Sequence, residues 1–134
     1  METAQRIYKT IRIINDIIKN HAGDERMIKA IKNHNYPRMH KSIIIGETTN
    51  SNLRVTLGCV FNKIRFELID TRWTKSDEGD TVNYTKFNID NIGFDADRGI
   101  IVITDENEKY IYGITPDVNE ALGKIVDILA VVYV

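Results

Sequence analysis

The chain predicts an α+β fold: an N-terminal helical hairpin, an antiparallel sheet of about six strands, and a C-terminal helix packed on the sheet. Three observations carry this reading. Isoleucines recur at helical spacing near the start, the apolar period drops to two from residue 41, and a helical period returns after "TPD" at 115–117. Strands that follow one another through short turns pair antiparallel, and helices then cover one face of such a sheet.

The first helix spans 3–20. Ile7, Ile11, Ile14 and Ile18 form its stripe, widened by Ile13 and Ile17, while Arg6, Lys9, Arg12, Asp16 and Lys19 fall mostly outside. "HAG" at 21–23 ends it, and Asp24 is placed to cap a second helix with Met27, Ile28 and Ile31 on its apolar side. Pro37 closes that helix, because the residue before a proline is pushed out of helical geometry.

"KSIII" at 41–45 opens the strands, and "GETTNSN" is a turn segment. Leu53, Val55, Leu57 and Cys59 alternate with Arg54, Thr56 and Gly58, the period of a half-buried strand. Ile64, Phe66 and Leu68 alternate with Arg65 and Glu67 in the next. Continuing that phase would put Asp70 and Arg72 on the inner face, so the strand is expected to end, bulge or reach the sheet edge there. After the polar loop 74–80, Val82, Tyr84 and Phe87 start a strand running through Ile89. "DADRG" at 95–99 reads as a tight turn, and "IIVIT" and "YIYGI" flank "DENEK" as a hairpin. Thr115 and Pro116 suit the start of the last helix, whose stripe is Val118, Leu122, Ile125, Leu129 and Val132.

The strand, turn, strand and closing helix over 87–130 resemble the end of pleckstrin-homology and GRAM-type domains. Two helices, a curved sheet and a long last helix are also similar to helix-grip folds. Both resemblances imply an architecture and carry no function.

Residues 1–134 are expected to form one domain, and 43% hydrophobic with 28% charged residues is an ordinary globular balance. The longest apolar run is the seven residues of "ILAVVYV" at 128–134, far short of the ~20 that span a bilayer. No signal-peptide block opens the chain, and the single cysteine fits a reducing compartment, so a cytoplasmic protein without a membrane partner is expected. Abundant isoleucine and asparagine accompany AT-rich genomes, which suits a phage, viral or mobile-element source. The net charge of −1 conceals a split: residues 1–65 carry 12 basic and 5 acidic side chains, and residues 66–134 carry 6 and 14. Such a split either makes a dipolar molecule or cancels where the halves meet.

No pattern fixes a chemistry. His21, His34, His40 and Cys59 lack metal-site spacing, and "DADRG" lacks the distal ligands of a calcium loop. Cys59 is in phase with the core face, so it reads as a buried small hydrophobe. The carboxylates at 77–80 and 105–108 sit on loop tips, where water keeps them unsuited to general acid work. Neither a cofactor nor a metal is implied, and the chain is expected not to be an enzyme.

Three surfaces remain. Arg72, Trp73, Lys75, Asp77 and Glu78 make the first, since Trp and Arg anchor interfaces most often. Val131, Tyr133 and Val134 make the second, a self-association surface where the last helix turns apolar all round, and a homodimer is expected from it. Lys29, Lys32, Arg38 and Lys41, with Tyr36 among them, make the third, a candidate anion- or nucleic-acid-binding stretch. The leading expectation is a non-catalytic protein-interaction module, such as a host-defence inhibitor or small assembly protein. A ligand- or lipid-binding domain and a nucleic-acid binder through 29–41 are the alternatives.

Overall fold

The computed structural model describes residues 2–33, 40–115 and 118–130. Helices α1 (Glu2–His21) and α2 (Glu25–Asn33) precede seven strands: β1 (His40–Thr48), β2 (Ser51–Val60), β3 (Lys63–Thr74), β4 (Thr81–Phe87), β5 (Ile92–Asp95), β6 (Ile100–Asp105) and β7 (Glu108–Ile114). Helix α3 (Val118–Leu129) follows. The class is α+β, with seven strands in place of about six. The additional strand is β5, four residues long, set off from β4 by a 3₁₀ turn at Ile89–Asn91 whose cap is the Asn88 side chain. Too short to show an alternation, β5 does not register as a period of two.

One sheet runs β4-β3-β2-β1-β7-β6-β5, with every described pairing antiparallel. Its concave face is filled by side chains. From α1, Ile7, Ile11 and Ile14 are fully buried against Leu53, Leu57, Leu68, Ile101 and Ile103 of the sheet. Ile17 joins this core, but Ile13 is 56% exposed, so the α1 stripe is narrower than its isoleucines suggest. Asp24 caps α2 as expected, accepting from the Arg26 amide at 2.9 Å. Val118, Leu122, Ile125 and Leu129 of α3 are all buried.

Two local devices shape the sheet. Phe61 and Asn62 join β2 to β3 with φ of 52° and 61°, the paired left-handed conformation of the tightest hairpin turns. In β1 the register slips between Ile44 and Gly46, a bulge that bends the strand. The Thr115 hydroxyl donates to the Ile44 carbonyl at 2.7 Å, tying the exit from β7 to this bulge. A Cβ on Gly46 would stand 2.8 Å from the Tyr112 Cβ and 3.1 Å from the Gly113 carbonyl oxygen. Glycine is required there by backbone approach.

Strand β3 overturns one expectation. It neither ends nor bulges near Asp70. Its pairing with β2 is unbroken from Lys63 to Arg72, and its pairing with β4 continues to Thr74. Asp70 therefore does point inward, and it is 2% exposed.

Gly46→Ala should destabilise the fold by roughly 1–3 kcal/mol, the usual cost of overpacking. Gly23→Ala, whose Cβ meets nothing within 4 Å, should stay within about 0.5 kcal/mol of wild type. Urea denaturation of the two variants checks both.

Candidate functional site

The polarity of β3 inverts along its length. Its inward row begins Ile64, Phe66, Leu68 and ends Asp70, Arg72. Its outward row begins Lys63, Arg65, Glu67 and ends Ile69, Thr71, Trp73. Since the register does not slip, the inversion is real: the far half of the strand turns the buried Asp70 and the exposed Arg72 to the inner side, and Ile69, Thr71 and Trp73 to the outer.

The inward charge is satisfied by distant partners. The Tyr112 hydroxyl of β7 donates to Asp70 Oδ1. Arg72 Nε stands 3.6 Å from Asp70 Oδ2, and the Arg72 guanidinium lies 5.2 Å above the Tyr110 ring. Phe87 of β4 meets the same ring at 4.9 Å between centroids. β3 and β7 are separated in the sheet by β2 and β1, so these contacts form only because the sheet curls. Burial, then the bond to Asp70 and its charge, push the Tyr112 phenol far above its ordinary range. A phenol held protonated in this way is poorly placed to exchange a proton near neutrality. The cluster acts as a clasp between β3 and β7.

The outward residues form a continuous row with β4. Trp73 pairs with Val82, Thr71 with Tyr84, and Ile69 with Lys86. Val82 is 50% and Tyr84 72% exposed, whereas Trp73 is half-buried. The Trp73 amide donates to the Asn50 carbonyl at 3.0 Å, which fixes this end of β3 to the β1–β2 turn. Beside the row is a shallow depression of about 350 Å³ lined by Ser42, Arg54, Thr56, Ile69, Thr71 and Tyr84. The Arg54 Nε beneath it is buried with no hydrogen-bond partner among the described residues.

The residues expected to make one interaction patch are thus divided. Trp73 faces outward and Arg72 inward, into the clasp. Lys75, Asp77 and Glu78 are exposed on the loop beyond β3, where the Ser76 hydroxyl donates to the Gly79 carbonyl. Val82, Tyr84, Ile69 and Arg54 were not singled out by sequence. A signal existed: Val82 and Tyr84 have even numbers and Phe87 an odd one, so an unbroken strand cannot bury all three on one face.

Charged turns stand at both ends of the sheet. At one end of the sheet the β2–β3 turn carries Phe61, 92% exposed, followed by the exposed Lys63 and Arg65. Asn62 shares a depression there with Lys29, Glu25 and Ile28. Lys32 belongs to α2 and Lys41 to β1, while Arg38 lies outside the described residues. At the other end are the acidic loop 75–80 and the β6–β7 turn with Asp105, Glu106 and Glu108. Val131, Tyr133 and Val134 also lie outside the described residues. Among the described residues, no helix is long and apolar enough to cross a membrane.

Compared with protein-family models, curated proteins and solved structures, the chain matches none.

Tyr112→Phe should cost about 1–3 kcal/mol at neutral pH by leaving the Asp70 carboxylate short of a donor. The pH dependence has a defined sign. A phenol whose pKa is raised by folding stabilises fully below the unfolded value of ~10, and that contribution is lost as pH rises above it. Denaturation midpoints should therefore fall more steeply above about pH 10 in wild type than in Tyr112→Phe.

Proposed function

We propose that this protein is a non-catalytic interaction module whose contact surface is the outer face of β3 and β4. The polarity inversion of β3 carries the reading. An antiparallel sheet with one solvated face ordinarily alternates apolar-in with polar-out. Here the alternation reverses at Ile69, and the row Ile69, Trp73, Val82 and Tyr84 faces outward at a sheet edge. Tryptophan and tyrosine are among the residues enriched at the anchors of protein interfaces. The row is also rigid, because it is built on paired strands, so little ordering entropy opposes binding. Phage or mobile-element accessory proteins that act on a host protein are the class that fits a small module of this kind.

The opposite end supports a second reading, a site for single-stranded nucleic acid. Phe61 is both almost fully exposed and held at positive φ, where a bulky residue is disfavoured. Lys63, Arg65 and Lys29 lie nearby to meet phosphates, and an exposed ring offers a stacking face.

Each reading has its own test. Trp73→Ala or Tyr84→Ala should weaken binding of an affinity-isolated partner by about 2 kcal/mol or more, roughly 30-fold, with the circular dichroism spectrum unchanged. Retention of full affinity in both variants would discard the outer face. For the other end, Phe61→Asn should stabilise the fold by about 1 kcal/mol, because Asn tolerates the left-handed region, yet lower the affinity for a labelled oligothymidylate at low salt. Unchanged oligonucleotide affinity would remove the second reading.

A further inference from the structure

We propose that β4 is a self-pairing edge, through which two copies of the chain join into one continuous antiparallel sheet. This goes beyond the partner-binding reading and needs no partner to be tested. β4 ends the strand order, so among the described residues no strand pairs with its far side. Edges are ordinarily blunted by bulges, prolines, lysines or shortness. β4 has seven residues, an unbroken register with β3, no proline and one lysine near its end. The other edge is defended: β5 has four residues, and Phe94 packs against Tyr8 of α1 at 5.7 Å between ring centroids.

The symmetry of such a pair restricts its register. A two-fold axis perpendicular to the sheet keeps each residue on its own face. Opposed residues must therefore share parity, which leaves only registers centred on a single residue. Centring on Asn83 places Val82 opposite Tyr84 of the second copy, and Thr81 opposite its Thr85. It also places Asp80 opposite Lys86 of the second copy, twice by symmetry. These are an apolar pair, a hydroxyl pair and an opposite-charge pair, the kinds that stabilise cross-strand neighbours. Centring on Tyr84 would instead set Val82 against Lys86 and Thr81 against Phe87. Lys86 already bonds Glu67 at 3.0 Å on the same face, so Asp80 of the second copy would add a second carboxylate to that cation. Both outward rows then lie side by side, and the apolar surface exposed on β4 is shared across the axis. A seven-residue edge buries less than the ~1,600 Å² of a standard stable complex, so the dimer should dissociate on dilution.

Light scattering on the purified chain tests this. The expected mass rises with concentration from one chain to two. Val82→Lys, which sets a charge against Tyr84 and supplies the lysine that edges ordinarily carry, should raise the dissociation constant by about tenfold or more. Asn83→Cys should cross-link two copies under mild oxidation, because only residue 83 faces itself, whereas Val82→Cys should not; native Cys59 is buried and does not compete. Should Val82→Lys fail to fold, the cysteine pair still decides. A single-chain mass at every concentration, or a dimer that forms equally with Val82→Lys and resists cross-linking at 83, would overturn the proposal. Trp73→Ala should leave the dimer intact, which separates this result from failure of the partner-binding reading.

Discussion

The bond from Tyr112 to Asp70 is the constraint on which the rest of the molecule depends. It joins residues 42 apart in sequence and on strands that are not neighbours in the sheet. A carboxylate that is 2% exposed is tolerable only with donors in place, since leaving a buried polar group short of a partner costs about 1–3 kcal/mol. The bond therefore requires the sheet to curl, and Gly46 permits it: the β1 backbone passes close enough to Tyr112 that no side chain fits between. Curl, bulge and clasp are one mechanical unit. The same unit decides what faces outward, because a strand that must point Asp70 and Arg72 inward must point Ile69, Thr71 and Trp73 away.

Most of the architecture was legible because it rests on local periodicity. The stripe of Ile7, Ile11, Ile14 and Ile18 and the alternation of Leu53, Val55, Leu57 and Cys59 are buried as read. Each pattern needs only a few neighbouring residues to declare its face. Asp70 was misjudged for the opposite reason. Its inward phase follows from the alternation, but a buried carboxylate is implausible without partners, and Tyr112 cannot be matched to it from spacing. Sequence groups Trp73 with Arg72 on one surface, whereas a continuous strand separates the two onto opposite faces. Strand β5 failed differently, being four residues long between a 3₁₀ turn and the Asp95 turn, where the Asp95 side chain accepts the amides of Asp97 and Arg98.

The charge split has a comparable lesson. Counting assigned opposite signs to the two halves of the chain but not to places. Antiparallel register makes the assignment, because each hairpin returns its turn to one end or the other. The basic β2–β3 turn shares one end with the β5–β6 turn and its Asp95 and Asp97, and the acidic β3–β4 loop and β6–β7 turn stand at the other.

These features bear on one another at β4. A sheet edge and an outward apolar row are each liabilities in a free monomer, the first for aggregation and the second for nonspecific contact. In this fold both fall on the same seven-residue strand, and neither is forced there by the core. Phe87 alone anchors β4 inward, at 6% exposure, and the residues from Thr81 to Tyr84 are exposed. Core packing would be served as well by a serine or lysine at Val82 and Tyr84. The valine and tyrosine need a reason outside the isolated core, and Trp73 beside them, fixed through its backbone to the β1–β2 turn, extends the same surface onto rigid structure. A surface that the clasp holds in shape and that the core does not require is the part of this protein best suited to recognition.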